Sequence, residues 1–258
     1  MKMTRKEFLK LTGAGLVLVF GGQELAALDR MAQAPGPNGA KPQRRKQWAM
    51  IVDTRKCAKD RGCTSCMEAC DWAHNIPDIP DNAHQIKWVW NEPVDKVFND
   101  YDVRYMEESQ RTEPIPVMCN HCDSPPCVRV CPTGATWKRP EDGIVMMDWH
   151  RCIGCRYCMA ACPYGARSFN WVDPRPYIKK LNPDFPTRTK GVVEKCCFCD
   201  ERLAVGKAPA CVEACPEKAM MFGDVNDPKS EIREVLAKNY VLRRRPELGT
   251  GPNIYYLI

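Results

Sequence analysis

Four groups of closely spaced cysteines limit how this chain can fold more than any other feature. Only one of its 17 cysteines, Cys197, falls outside them. The groups are Cys57, Cys63, Cys66 and Cys70; Cys119, Cys122, Cys127 and Cys131; Cys152, Cys155, Cys158 and Cys162; and Cys196, Cys199, Cys211 and Cys215. Disulfide scaffolds this rich in cysteine are typical of secreted chains shorter than about 100 residues. In a chain of 258 residues, the clustering indicates metal binding.

The third group follows the bacterial ferredoxin pattern C-x2-C-x2-C-x3-C-P without departure and ends at Cys162-Pro163. In that pattern three cysteines on a tight loop bind one [4Fe–4S] cube, and the fourth points to a second cube. Gly154 is expected to let the backbone approach the inorganic sulfides. Related segments, CPTGAT, CPYGAR and CPEKAM, follow three of the groups. This internal repetition predicts iron–sulfur clusters, and sixteen ligands suffice for four [4Fe–4S] clusters.

Zinc and disulfides are the competing uses of these cysteines. Zinc ribbons pair two C-x2-C knuckles and do not use the ferredoxin run. Disulfides within such tight loops would be strained. Both alternatives therefore account for the spacings less well than iron–sulfur clusters do.

The first and fourth groups leave two ligand assignments open. Five residues separate Cys57 from Cys63, so the alternative for this group is a site without Cys57 that holds a three-iron cluster or none. In the fourth group Cys196 has the regular spacing to Cys199. We therefore interpret Cys196 as the ligand and Cys197 as a packed thiol beside the cluster.

The net charge of +6 does not indicate nucleic-acid binding. Residues 1–46 contain nine Lys and Arg against three acidic residues, which accounts for the whole excess. The remaining residues are neutral overall, and clusters with four thiolates would add negative charge. A basic surface for nucleic acid is therefore not expected.

The N-terminus has the three-part plan of an export signal. Basic residues precede an apolar run at 11–20, which is short for a membrane span, and a Pro/Gly-rich stretch follows. Residues 4–10 resemble a twin-arginine signal, with Lys6 in place of the second arginine. That route suits a protein that is exported folded around its clusters. The alternatives are a retained segment at 9–28, in a membrane or against a partner, and an ordinary amphipathic helix.

Short strands and turns surround the cysteine groups, which predicts an α+β fold of two nested ferredoxin-like cluster-binding units. Strands are expected at residues 49–53, 135–139, 144–147, 167–171 and 218–222, the second and third forming a hairpin. The predicted regions are an export signal or retained membrane segment plus linker (1–46), an outer unit (47–74 and 190–224), an inserted loop region (75–113), an inner unit (114–175), a connector (176–189) and a C-terminal tail (225–258).

Two features of the chain remain open between a structural and a functional interpretation. The apolar end at 254–258 is either a final strand packed on the core or a strand that docks a partner. His121 either donates a hydrogen bond to a cluster sulfur or lies at the surface. The other histidines, His74, His84 and His150, are interpreted as structural.

The sequence contains no other redox or catalytic motif. There is no C-x-x-C-H for haem attachment, no G-x-G-x-x-G for a dinucleotide and no H-E-x-x-H. If thiolates hold every iron, no coordination position is open for substrate, so we expect an electron carrier and not an enzyme. The alternative is an enzyme whose catalytic cluster is held by the irregular first group.

Three long phrases of the sequence resemble the four-cluster ferredoxin-like subunits of respiratory complexes, such as those of polysulfide reductase, formate dehydrogenase and DMSO reductase. They are CNHCDSPPCVRVCPTGATWKRPEDGIV, CIGCRYCMAACPYGARSFNW and EKCCFCDERLAVGKAPACVEACPEKA. The likeness covers about residues 47–225. With the MIVDTRKC and TRTKGVVEKC runs, the chain is most similar to the O subunits of the Dsr membrane complexes of sulfur-metabolising microbes.

This resemblance implies an electron-transfer subunit on the periplasmic side of the membrane, between a multihaem cytochrome c and a quinone-interacting membrane subunit of a sulfur or sulfate respiration complex. A subunit of another respiratory oxidoreductase, such as polysulfide reductase or a hydrogenase, is the alternative. The resemblance also implies crossed ligand sets: Cys57, Cys63 and Cys66 with Cys215; Cys196, Cys199 and Cys211 with Cys70; Cys119, Cys122 and Cys127 with Cys162; and Cys152, Cys155 and Cys158 with Cys131.

Overall fold

The elements of this fold are short because the chain turns at each cysteine group. The computed structural model describes residues 45–99, 101 and 105–258, so the predicted export signal lies outside the described residues. The strands are β1 (Trp48–Asp53), β2 (Val89–Pro93), β3 (Pro114–Met118), β4 (Thr136–Lys138), β5 (Val145–Met147), β6 (Ser168–Phe169), β7 (Val193–Glu194), β8 (Met220–Asp224), β9 (Val241–Leu242) and β10 (Ile254–Leu257).

Helices of one or two turns make up most of the remaining regular structure. They are α1 (Thr54–Cys57), α2 (Ser65–Ala73), α3 (Val94–Val97), α4 (Glu108–Arg111), α5 (Pro126–Arg129), α6 (Tyr157–Ala160), α7 (Asp200–Ala204), α8 (Ala210–Glu213) and α9 (Glu231–Lys238), with 3₁₀ turns at Arg175–Tyr177 and Pro246–Leu248. Within the described ranges, no helix is long and apolar enough to cross a membrane. The mixed helix and strand content agrees with the predicted α+β class.

A four-stranded sheet joins the two ends of the described chain. Its strand order is β8-β1-β10-β9, with β1 antiparallel to β8 and parallel to β10. The pairing of β1 with β8 places the start of the first cysteine group beside the end of the fourth. Since β10 lies inside the sheet and Tyr256 is fully buried, the C-terminal segment is a core strand, which decides against a partner-docking strand.

Three two-stranded sheets organise the inner part of the chain. β4 and β5 form the predicted hairpin, with Thr136 opposite Met147. β6 pairs with β7, which joins the end of the third cysteine group to the segment before the fourth. β2 pairs with β3 and brings residues from the insertion against the inner unit.

The predicted inserted loop region at 75–113 contributes several residues to the core. Trp88, Ile86 and Phe98 are buried in the main hydrophobic core with Met50 and Tyr256. Prolines and turns had obscured the apolar periodicity that would have revealed this burial. Residues 45–258 form one compact unit, so the predicted outer and inner units are parts of a single body.

Tyr256 provides a test of the C-terminal strand. Its ring lies edge-on to Phe98 with centroids 5.3 Å apart, and its hydroxyl donates to the Pro116 carbonyl at 3.4 Å. We expect Tyr256→Ala to lower the free energy of unfolding by about 3–5 kcal/mol, because it leaves a cavity in the core. Tyr240→Ala is the matched control, since Tyr240 is 84% exposed. Equal losses of stability in chemical denaturation of the two variants would contradict this packing.

Candidate metal centres

The first centre, site 1, combines thiols from the two ends of the outer unit. Its members are Cys57, Cys63, Cys66 and Cys215. The Asp53 carboxylate accepts hydrogen bonds from the backbone N–H groups of Arg55 and Lys56, and this cap begins the helix that ends at Cys57. Burial, followed by the charges of Cys215 and Cys63, raises the pKa of Cys57 to about 11. The structure therefore places Cys57 with the other three thiols despite its irregular spacing.

The second centre, site 2, is the most deeply buried. Its members are Cys70, Cys196, Cys199 and Cys211. Burial, followed by the charges of the other three thiols, raises the pKa of Cys70 well above its ordinary value. Two backbone N–H groups donate to sulfur here, from Phe198 to Cys196 Sγ at 3.4 Å and from Ala210 to Cys199 Sγ at 3.3 Å. Such donors stabilise thiolates.

The third and fourth centres are cavities within the inner unit. The thiols that line site 3 are Cys119, Cys122, Cys127 and Cys162. The thiols that line site 4 are Cys131, Cys152, Cys155 and Cys158. Cys155 is the one cysteine of the chain that is exposed, so site 4 lies nearest the surface. In each centre three thiols come from one cysteine group and the fourth from another.

The four sites follow one another in a row. Burial, and then the charges of Cys196, Cys199 and Cys66, raise the pKa of Cys211, which makes site 1 and site 2 neighbours. Burial, and then the charge of Cys119, raise the pKa of Cys196 to about 12, which links site 2 to site 3. Cys127 of site 3 and Cys158 of site 4 pack in one small hydrophobic cluster. The order of the row is therefore site 1, site 2, site 3, site 4.

The residues at these sites fit iron–sulfur clusters. Every convergent donor is a thiol, and backbone N–H groups point at several of the sulfurs, as at Cys215, which accepts from Ala219 N at 3.2 Å. Asn120 lines the site 3 cavity, and its buried amide has no hydrogen-bond partner among the described residues. A buried amide without a partner is costly, and a sulfide or thiolate in that cavity would accept from it.

Comparisons with known proteins agree with this chemistry. A family described as a 4Fe–4S dicluster domain matches residues 111–225. The Hdr-like menaquinol oxidoreductase iron–sulfur subunit 1 of Archaeoglobus fulgidus is 40% identical, with 98% of this chain and 97% of the relative covered. The chain belongs to the family of iron–sulfur electron-transfer subunits of oxidoreductase complexes.

Two further relatives show the breadth of this family. The menaquinone reductase iron–sulfur cluster-binding subunit of Nitratidesulfovibrio vulgaris is 40% identical over 82% of this chain and 88% of its own. One tetrathionate reductase subunit of Salmonella typhimurium is 35% identical over 100% of this chain and 89% of its own. Membership confirms iron–sulfur chemistry and a carrier role within an oxidoreductase complex.

His121 is a buried residue, so its surface interpretation was wrong. It is 0% exposed, has a positive φ of 42°, and stacks on Phe198 with ring centroids 3.7 Å apart. Burial, then the charges of Lys195 and Arg167, hold its pKa well below the usual value, so the ring is neutral. Nδ1 accepts from Val145 N at 3.1 Å, and Nε2 therefore carries the proton. Nε2 has no partner among the described residues, and donation to a cluster sulfur remains a prediction.

His74, interpreted from the sequence as structural, lies against site 2. Its Nδ1 is 3.0 Å from the Cys70 carbonyl and 3.6 Å from Cys70 Sγ, while its Nε2 is 3.1 Å from Glu201. Cys197 is buried beside this pair, with Sγ 3.9 Å from His74 Nε2 and 3.8 Å from Glu201. No local pattern signals this group, because 127 residues separate His74 from Glu201.

A fully buried ion pair ties site 2 to the rest of the fold. Arg188 Nε donates to Glu194 at 2.7 Å, and neither side chain is accessible to water. The same guanidinium donates to the carbonyls of His74 and Asn75, just after the helix that carries Cys70. Glu194 in turn accepts from the Trp88 indole at 3.1 Å. The pair therefore holds helix α2, which carries Cys70 of the first cysteine group, against strand β7, which precedes the fourth group.

Breaking this pair tests its importance for site 2. We expect Arg188→Met to lower the free energy of unfolding by about 3–5 kcal/mol, because it leaves the charge of Glu194 buried without an opposite charge. The double variant Arg188→Met/Glu194→Gln is expected to recover part of that loss, since it removes the uncompensated charge. Chemical denaturation under anaerobic conditions and iron content per chain are the measurements. A double variant less stable than the single one would contradict this account.

Proposed function

We propose that this chain conducts electrons through four [4Fe–4S] clusters, one at each site, and performs no substrate chemistry itself. The observation that carries the proposal is the row of four sites, each with four convergent thiols. The ligands are Cys57, Cys63, Cys66 and Cys215 at site 1; Cys70, Cys196, Cys199 and Cys211 at site 2; Cys119, Cys122, Cys127 and Cys162 at site 3; and Cys131, Cys152, Cys155 and Cys158 at site 4.

The number of thiols favours conduction over catalysis. A [4Fe–4S] cluster supplies one-electron redox chemistry, and four thiolates occupy the outer position of all four irons. A catalytic cluster at site 1 would need an iron without a thiolate, yet Cys57 lies beside Cys63 and Cys215. The protein's own task is then to bury the thiols, to point backbone N–H groups at them and to set the distance between successive sites.

We further propose that the chain relays electrons between a cytochrome c subunit and a quinone-interacting membrane subunit of a sulfur or sulfate respiration complex. Two relatives are named for menaquinol or menaquinone chemistry, which supports the quinone partner. The likeness to the Dsr O subunits supports the cytochrome. A second candidate is the iron–sulfur subunit of another respiratory oxidoreductase, favoured by the match to a tetrathionate reductase subunit over the whole chain.

The proposed location is the periplasmic side of the membrane, after export of the folded protein. The basic start, the short apolar run and the twin-arginine-like segment at 4–10 support it. Digestion of the chain by protease added to intact spheroplasts is the expected result. Protection of the chain until the cells are lysed would contradict the proposal.

Iron content tests the cluster assignment. We expect about sixteen iron and sixteen acid-labile sulfide per chain in protein purified without oxygen. Cys155→Ala is expected to remove or degrade the cluster at site 4, leaving at most about fifteen iron per chain and about twelve if the whole cluster is lost. Cys197→Ala is the control and is expected to keep the full content, because Cys197 is not among the proposed ligands. Zinc in place of iron, or equal loss in both variants, would contradict the assignment.

The quinone partner is tested in membranes that contain the whole complex. Anaerobic addition of a menaquinol analogue is expected to reduce clusters of this chain, which gives new electron paramagnetic resonance signals. In Cys155→Ala membranes only the signal of the site 4 cluster is expected to be absent. Cluster signals that do not respond to the quinol, yet respond to dithionite, would contradict a quinone-interacting partner while leaving the clusters assigned.

A further inference from the structure

A buried arginine lies between the two cavities of the inner unit. Arg167 is 5% exposed and lines the site 3 cavity together with its four thiols. Its Nη2 donates to Thr136 Oγ1 at 2.8 Å, and its Nη1 lies 3.7 Å from Met147 Sδ. Thr136 and Met147 both line the site 4 cavity. The guanidinium is therefore held in the partition that separates site 3 from site 4.

This arginine has no carboxylate partner among the described residues. Arg188, the other buried arginine, shows the usual solution, since it is paired with Glu194 at 2.7 Å. A guanidinium stays protonated in proteins, and burying its charge without an opposite charge is unfavourable. The compensating charge near Arg167 must therefore come from something other than a carboxylate.

The thiols on both sides of the partition are the available negative groups. Arg167 lines the site 3 cavity with Cys127, and the two side chains it contacts, Thr136 and Met147, line the site 4 cavity with Cys158. Cys127 belongs to site 3 and Cys158 to site 4. One fixed positive charge thus acts on both sites at short range, where the low dielectric of the interior strengthens the interaction.

We propose that Arg167 is the shared counter-charge of sites 3 and 4. Its charge raises the reduction potentials of both clusters and keeps the two potentials similar. This inference rests on the proposed function. Each cluster becomes more negative by one charge when it accepts an electron, so a nearby fixed cation stabilises the reduced form. Because the cation lies between the two sites, it acts on both and favours passage of an electron in either direction between them.

Removal of the charge in the full chain within its complex tests this role. We expect Arg167→Gln to shift the midpoint potentials of the site 3 and site 4 clusters to more negative values, and to leave those of sites 1 and 2 in place. Arg167→Lys is expected to stay close to the wild type. Arg151→Gln is the matched control, because it removes the same charge beside Cys152 from a side chain that is exposed and paired with Asp148. Potentiometric titration followed by electron paramagnetic resonance gives the potentials, and iron analysis gives the occupancy.

Each outcome decides the proposal. Negative shifts confined to the inner pair support it, as does loss of the inner clusters in Arg167→Gln but not in Arg167→Lys. Full iron with unshifted inner potentials in Arg167→Gln would overturn it. Loss of clusters in both variants would show that the shape of the side chain matters and not its charge, which would also overturn it. Wild-type protein without iron would instead refute the proposed function, so the two failures are distinguishable.

Discussion

The convergence of four thiols on each centre, drawn from segments far apart in the chain, is the constraint on which the rest of the structure depends. Site 1 needs Cys57 and Cys215 together, and the antiparallel pairing of β1 with β8 brings the two segments side by side. Site 3 and site 4 need the second and third cysteine groups together, and their helices α5 and α6 pack against each other. The strands are therefore short, because each sheet has only to position the loops of one or two centres.

The same convergence creates an electrostatic problem that the fold has to solve. Thiols packed together and buried have raised pKa values, to about 12 at Cys66 and at Cys122, because burial and then neighbouring thiols oppose the thiolate. Backbone N–H groups at Cys196, Cys199 and Cys215 and the buried Arg167 lie close to these thiols and oppose that effect. Metal binding to such thiols must release protons, and it makes the stability of the loops depend on the bound clusters.

Much of the local chemistry was predictable because it depends on spacing alone. The ferredoxin run fixes which thiols share one loop, and β1, β8 and the β4–β5 hairpin lie where the apolar runs and turns predicted them. The crossed thiol sets came from a family resemblance and not from spacing. A motif of four cysteines does not indicate which distant cysteine group supplies the fourth ligand of each cluster. The core role of residues 75–113 escaped prediction because its apolar residues are spread over turns and prolines.

The sequence by itself determined the type of centre, the number of cysteine groups and the short strands beside them, since ligand spacing and hydrogen-bonded turns are local properties. Only the tertiary structure decided the order of the sites in a row, the burial of His121 and the place of Ile254–Leu257 inside the sheet. It also decided that Arg167 lies between two cavities, 31 residues from the threonine that accepts its hydrogen bond. These features arise from contacts between distant segments, which local spacing does not specify.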